Sequence, residues 1–366
     1  MDVERAKILV DAALRDPANR QVTLPVTGQN ADLPDIDALR AMIIGYLDSQ
    51  GFIYDGQSSL ASVFVMDLES GAEVNILSDV AVSAASTVKV SILTDYFRNL
   101  LTAPSDDEAF LMVQSLLCSN NSSSNLLMQL IGRDDLYAGI ADVTNTMQYI
   151  GERNSYISAP LYLGGDQQRG SIPAPTTAPN PNYTTGADPY NQTTTEDLGT
   201  LFSMIYDCAM YGSGLMAIYR DGEFTQNECR RMLNIMSAND LGRLLQGGIP
   251  AGTPIAHKNG WLDNVHGDAG IVFPPNGRNY VIAVFLWENA DFFSYERAWT
   301  LIEGVSRATW NYFNPDNPMI QPRADISADQ QARECVEFSP PYGEVDLDNI
   351  NSWREDGTSI QWPSLN

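Results

Sequence analysis

Two hairpin signals stand far apart in this chain, and the residues between them read almost entirely as helix. The first is the alternation from Ser62 to Leu77 (SVFVMDLESGAEVNIL), which predicts two strands around a Ser70-Gly71 turn. The second is the pair Ala269–Phe273 and Tyr280–Leu286, joined by Pro274-Pro-Asn-Gly277. Its Asn-Gly suits a tight hairpin turn, which needs positive φ. Helical spacing covers Asp35 to Gln50, with Ile36, Leu39, Met42, Ile43, Tyr46 and Leu47 on one face. Between the hairpins it recurs over Lys89–Leu101, Asp106–Cys118, Asn121–Ile131, Asp135–Ile150, Thr195–Met210 and Thr225–Met236, and after them over 294–313. Residues 151–195 interrupt the series with a segment rich in Gly, Pro, Thr and Asn. Loops of that length are usually functional or disordered. At the start, residues 4–15 have helical spacing stopped by Asp16-Pro17, followed by a strand-like stretch at 21–26 and a polar linker to Pro34. From Asn314 onward Pro and acidic residues dominate, which predicts an irregular tail.

The charge balance excludes whole classes of partner. Among 366 residues, 46 Asp and Glu face 21 Lys and Arg, a formal net charge of −25, and no basic cluster offsets it. Such a surface repels phosphate backbones and anionic headgroups, so nucleic acid is not an expected partner. The apolar run Tyr280–Trp287 falls far short of the roughly 18 residues that span a bilayer, so no transmembrane segment is expected. Met1-Asp-Val-Glu-Arg5 has neither a basic nor an apolar leader region; a signal would have been removed or lie upstream. Cys118, Cys208, Cys229 and Cys335 contain no C-x-x-C pair, which argues against a thiolate zinc site. Cys208 and Cys229 fall on successive predicted helices and could be bridged. Cys118, just before Ser119, reads as a buried helix residue. His257 and His266 are the only histidines, too few for a multi-histidine metal centre. Both read as packing and hydrogen-bonding beside the sheet, although a Ser-His-Asp triad is not excluded by their number.

Only three lysines exist, Lys7, Lys89 and Lys258, so their neighbours are informative. Lys89 closes Ser86-Thr-Val-Lys89, and Lys258 opens Lys258-Asn-Gly260 just ahead of the second hairpin. If Ser86 opens a helix, the i,i+3 spacing puts the amine on the face of the hydroxyl. A serine hydroxyl is a poor nucleophile until a base takes its proton, and a lysine is such a base only when burial and nearby positive charge favour its neutral form. Lys258 would supply that charge and attract an anionic substrate. Alone, Ser86 reads rather as a helix cap and Lys89 as a solvated side chain.

A third element, Ser119-Asn120-Asn121, stands between the two lysines. Ser86-x-x-Lys89, Ser119-x-Asn121 and Lys258-x-Gly260, in this order, resemble the signature of the penicillin-recognising serine enzymes, most closely class A β-lactamases and their homologues. The resemblance spans roughly residues 35–313. It implies an α+β fold with an antiparallel sheet flanked by helices and a helical subdomain carrying Ser86 and Ser119. It also implies Ser86 as acylated nucleophile, Lys89 as proton acceptor and Ser119 as relay to the departing nitrogen. Asn121 would bond the substrate's amide, Lys258 its carboxylate, and the backbone of Ser86 and Trp261 the oxyanion; Asn259 and Gly260 complete the substrate-binding motif. Asn125 resembles a structural asparagine. No metal or organic cofactor is implied, and a monomer is expected.

Three departures accompany the resemblance. Asn120 and Asn259 replace an Asp and a Thr of the family pattern. Where class A β-lactamases carry the glutamate that activates the deacylating water, this chain has Leu161, and no glutamate occurs between Glu152 and Glu196. Acylation by β-lactams or related amides is therefore expected, with slow deacylation. Asp166 or Asp188 could supply a base, but nothing in the sequence aims either at Ser86 and both read rather as solvated loop acids; Asn191-Gln-Thr-Thr-Thr195 resembles the segment that ends this loop in the family. A peptidoglycan D,D-peptidase or esterase using the same serine, and a catalytically silent wall-binding module, are the rival functions. Asp2–Val26 resembles the end of a small domain found before peptidoglycan-modifying enzymes, which implies an exported, envelope-associated protein. Three parts follow: 1–34 as N-terminal segment and linker, 35–313 as the hydrolase-like domain, 314–366 as an irregular extension.

Overall fold

The computed structural model describes residues 33–164, 170–327, 331–333, 345–350 and 359–364, together with Val10. The helix expected over 4–15, the strand-like 21–26 and Asp166 lie outside these residues. Met1–Asp35 and Ile36–Asn366 are separate compact units. The second begins with α1 (Ile36–Ser49), β1 (Ser59–Asp67), β2 (Glu73–Ile76) and β3 (Val82–Ser83). A 3₁₀ turn, Ala85–Val88, then runs into α2 (Lys89–Arg98), α3 (Asp106–Leu116), α4 (Asn121–Ile131) and α5 (Leu136–Ile150). After β4 (Tyr156–Ile157) and β5 (Asn191–Thr193) come α6 (Thr195–Tyr211), α7 (Leu215–Ile218) and α8 (Gln226–Ser237). A 3₁₀ turn at Gln246–Gly248, β6 (Ile255–Leu262), β7 (Val265–Val272), β8 (Tyr280–Glu288) and α9 (Tyr295–Phe313) complete the order.

The two hairpins merge into one antiparallel sheet, β2-β1-β8-β7-β6. β1 pairs with β8 from Ser59↔Glu288 to Asp67↔Tyr280, so strands from opposite ends of the unit lie side by side. β7 is buried along its whole length and β8 along all but its last residue, because helices cover both faces. Continuous burial explains why Tyr280–Trp287 reads as an unbroken apolar run. α1 and α9 meet each other on the sheet, with the Tyr46 hydroxyl donating to the Thr300 carbonyl. α6 lies so close to β1 that a Cβ on Gly199 would come within 2.2 Å of the Phe64 ring.

Helices α2 to α5 build the second lobe, and their starts follow the sequence. Ser105 and Glu108 form a capping box on α3, Asn120 caps α4, and Asp135 caps α5. Asp95 ties α2 to α5 by accepting from Arg98 and from Thr146 Oγ1 at 2.7 Å. Burial pushes its carboxyl up to about 6 despite the Arg98 guanidinium. α2 ends at Arg98, three residues before the expected Leu101.

The long segment 151–195 is pinned rather than free. Its ends form β4 and β5, which join β3 in a second, three-stranded sheet. Asn180 N donates to Asp79 O at 2.9 Å and Ile172 N to Ser158 O at 2.8 Å. The Cys208–Cys229 disulfide, with Cα atoms 5.9 Å apart, staples α6 to α8. Cys118 is only half-buried and is itself disulfide-bonded, which corrects its reading as a buried helix residue. The described tail beyond 344 has no α-helix or strand, yet Leu347, Ile350 and Ile360 are buried in the core.

Candidate active site

The geometry begins with a strained step. Ala85 has φ +49°, a left-handed conformation that costs a residue with a Cβ about 1 kcal/mol. Asn191 of β5 holds it from both sides: its Nδ2 donates to the Ala85 carbonyl at 2.8 Å, and its own carbonyl accepts from Ala84 N at 3.0 Å. The next residue is Ser86, half-buried in a 3₁₀ turn rather than in the first turn of an α-helix. The i,i+3 relation survives, because three residues per 3₁₀ turn bring i+3 back over i.

Lys89 Nζ contacts Ser86 Oγ at 2.9 Å and Ser119 Oγ at 3.1 Å, and it donates to the Ser119 carbonyl. Ser119, at φ +52°, ends the link from α3 to α4 in the left-handed region, which presents both its carbonyl and its hydroxyl to Lys89. Lys89 itself is 0% exposed. The first two motifs therefore meet around one buried amine.

The third motif arrives on β6, the edge strand of the large sheet. Gly260 is a glycine for a spatial reason: a Cβ there would lie 2.6 Å from Ser86 N and 3.1 Å from Ala84 O. Lys258 Nζ donates to Asn259 Oδ1 at 3.1 Å, and Asn239 Nδ2 approaches the same oxygen at 3.4 Å. Lys258 is 0% and Asn259 1% exposed, so both are buried on β6. Trp261 is half-buried in an aromatic group with Tyr295 and Trp299, centroids 6.2 and 5.3 Å away.

A cleft of about 340 Å³ opens at Ser86, lined also by Asn121, Leu161, Asp188, Asn191 and Trp261, with Tyr162 and Leu262 at its sides. Asn121 Nδ2 donates to the Tyr162 carbonyl at 2.8 Å. Asn125 clamps Leu161 by two bonds, Nδ2 to Leu161 O at 2.9 Å and Leu161 N to Oδ1 at 2.8 Å. The leucine is thereby fixed beside the serine. Of the residues expected in the site, Ser86, Asn121 and Trp261 line the cleft, Lys89 joins the hydroxyls of Ser86 and Ser119, and Lys258 and Asn259 are buried on β6 next to Gly260.

Asp188 is half-buried and forms a wall of the cleft, a place that its reading as a solvated loop acid did not include. Its Oδ1 accepts from Tyr190 N at 2.8 Å, and its N–H donates to Ser83 Oγ at 2.8 Å. Asn191 and Tyr162 were beyond sequence reasoning as site residues, and Asp188 was a candidate base with nothing to aim it; the only signal was their place in or at the end of a loop too long to be idle. Neither histidine reaches the serine. His257 Nδ1 bonds Asp268 and its Nε2 the Asn239 carbonyl, each at 3.0 Å, while His266 Nε2 bonds the Phe293 carbonyl. Burial holds His266 down to about 4. At the base of the loop, burial and the neighbouring Asp197 hold the Glu152 carboxyl far above its ordinary range. Among the described residues, no group of three or more His, Cys, Asp or Glu side chains is placed to hold a metal ion.

The comparisons agree with this architecture. No curated protein matches the chain. Among solved structures, a leucine-to-glutamate variant of PBP-A, in an acyl-enzyme complex with penicillin G, is 23% identical with a TM-score of 0.56, covering 78% of this chain and 100% of that one. A β-lactamase from Sphaerobacter thermophilus is 18% identical with a TM-score of 0.54 over 78% of this chain and 100% of that chain. A class A β-lactamase representative from Bacteroides cellulosilyticus is 18% identical with a TM-score of 0.55, over 76% and 98%. These likenesses make the fold that of the class A β-lactamases. A family model described as the beta-lactamase enzyme family matches residues 109–313, more than half of the chain and both later motifs. The chain thus belongs to the beta-lactamase enzyme family.

Proposed function

We propose that this protein is a serine acyl-transfer enzyme in which β-lactams or related amides acylate Ser86. The observation that carries this reading is the buried amine of Lys89 touching the hydroxyls of both Ser86 and Ser119. Burial favours the neutral form of an amine, the form able to accept a proton. In the acylation step, Ser86 Oγ bonds to the donor's carbonyl carbon as its proton passes to Lys89 Nζ. The C–N bond then breaks as a proton travels through Ser119 Oγ to the departing nitrogen. Ser86 N and the N–H of Trp261 serve the oxyanion. In the two-residue turn after Leu262 the closing pair Leu262↔Val265 is hydrogen-bonded, so the neighbouring Trp261 N–H turns outward along the open edge of β6. Asn121 takes the donor's amide, and Lys258, with Asn259 and Gly260, its carboxylate.

Hydrolysis of the acyl-enzyme is slow in this reading, because the isobutyl group of Leu161 can accept no proton from a water. A D,D-peptidase or esterase working through the same serine shares this acylation chemistry, and release of D-alanine from a wall peptide with negligible β-lactam turnover would select it. The Cys208–Cys229 disulfide supports an oxidising, extracytoplasmic location. The test is incubation with a fluorescent penicillin followed by intact-mass measurement. A stable adduct equal to the mass of the whole penicillin, absent in Ser86→Ala, is expected; no adduct, or one that survives the substitution, refutes the reading.

A further inference from the structure

One wall of the cleft offers hydrogen-bond acceptors and a negative charge that the acylation steps leave unused. Asp188 lines the cleft, and none of the ion pairs among the described residues involves its side chain. Its position is set by three local bonds: its N–H to Ser83 Oγ, Tyr190 N to its Oδ1, and Asn191 N to its carbonyl. With Oδ1 engaged by the backbone, Oδ2 has no protein partner among the described residues. Asn191 lines the same wall, is 6% exposed, and keeps a buried Oδ1 without a partner while its Nδ2 is committed to Ala85. Trp261 and Leu262 of β6, the strand that carries Lys258, line the cleft as well.

We infer that Asp188 and Asn191 form a subsite for an ammonium group carried on the acyl side of the donor. The inference rests on the proposed acylation of Ser86 with the donor's carboxylate held toward Lys258. An ammonium has three donors and a full positive charge, which matches one carboxylate oxygen and one unmet amide oxygen. With its carboxylate held toward Lys258 and its ammonium at Asp188, a zwitterionic donor would lie in one direction across Ser86, and electrostatic complementarity acts mainly on such orientation. The surplus of acid over the whole chain adds to the preference, because it raises the local concentration of cationic groups.

Benzylpenicillin and its α-amino derivative, ampicillin, differ by one ammonium next to the acyl carbonyl. The experiment measures the second-order rate of Ser86 acylation by each at about pH 6, where the amine is largely protonated. The wild-type protein is expected to favour ampicillin by about fivefold, the scale of one partly solvated ion pair. N-acetylation of ampicillin removes the charge and is expected to bring its rate down toward that of benzylpenicillin, a comparison needing no protein variant. In Asp188→Asn the ratio is expected to fall to about one. Equal rates in the wild type, a preference retained by N-acetylampicillin, or one retained by Asp188→Asn would each overturn the subsite. A slower deacylation of both donors in Asp188→Asn with an unchanged acylation ratio would overturn it in favour of a water-activating role. If neither donor labels Ser86, the acyl-enzyme reading fails, and the subsite with it.

Discussion

Gly260 shows how one missing methyl group shapes the candidate site. Its Cα presses against the turn carrying Ser86, and an added Cβ would sit 2.6 Å from Ser86 N, a backbone atom that cannot rotate away. Gly260→Ala is therefore expected to displace the 3₁₀ turn and to slow Ser86 acylation by at least tenfold, with a loss of about 1–3 kcal/mol in stability from overpacking. Stopped-flow labelling with a fluorescent penicillin and urea denaturation measure the two effects; wild-type labelling would mean the close approach is immaterial. Leu161 poses the complementary case. Its backbone is fixed by Asn125 and its side chain lines the cleft, so Leu161→Glu delivers a carboxylate to a position already aimed. We expect this substitution to speed loss of the acyl adduct by at least tenfold, a modest share of the 10²–10⁴ that a well-placed base supplies. Decay of the adduct mass after excess penicillin is removed measures it, and an unchanged half-life would mean that something other than a missing base limits deacylation.

The helices and the two hairpins were legible because their periods are long enough to repeat. Lys89–Arg98 and Asn121–Ile131 carry recognisable spacing, and the meeting of Ser86 with Lys89 needed only the i,i+3 rule. The sheet of β3, β5 and β4 was not legible, since strands of two or three residues contain no period to detect. β6 carries no strand period for another reason, and only the resemblance marked Lys258-x-Gly260 as strand: His257, Lys258 and Asn259 are polar but wholly or nearly buried, so composition alone would put them at the surface. Asp188 escaped because its place depends on the loop folding back to Ser83, a contact between residues 105 positions apart. Interactions between elements, also beyond sequence periodicity, tie α6, α8 and the tail together. The Cys208–Cys229 bridge closes a loop with a sequence separation of 21, and the tail crosses α8 through a bidentate Arg231–Asp348 pair and the Trp362 indole bonded to Asn234. For a loop of this length the chain-entropy relation gives about 3 kcal/mol. Replacing both cysteines by serine is expected to lower stability by about that amount in chemical denaturation. A difference below about 1 kcal/mol would show that packing of α6 on α8 suffices without the bridge.

At the scale of the whole molecule, acidity and burial act on stability in the same direction. The chain carries a formal charge of −25 at neutral pH, so self-repulsion relaxes as carboxylates are protonated. Burial holds Asp95 and Asp197 up to about 6, and it raises Glu152, Glu196 and Glu303 above their ordinary range. A carboxyl whose folded pKa lies above its unfolded value binds more protons in the folded state between the two. Its contribution is fully present below the unfolded value and is lost as pH rises through the folded one. For Asp95 and Asp197 that window runs from about 4 to about 6, so stability should rise, not fall, as pH drops from about 8 to about 5. Asp55 works in the opposite sense: hydrogen bonds from Ser58 and Gln57 hold it down to about 2, and its contribution is lost only below about pH 4. A thermal melt should therefore show a Tm several degrees higher near pH 5 than near pH 8, with the optimum well on the acid side of neutrality. Asp197→Asn keeps an acceptor for Asn154 N and Ser155 Oγ but removes one titrating group, and it should flatten part of that slope. A Tm that stays level or climbs between pH 5 and pH 8 would mean that the buried carboxyls are solvated well enough to ionise freely, and the account of the base of the 151–195 loop would fail with it.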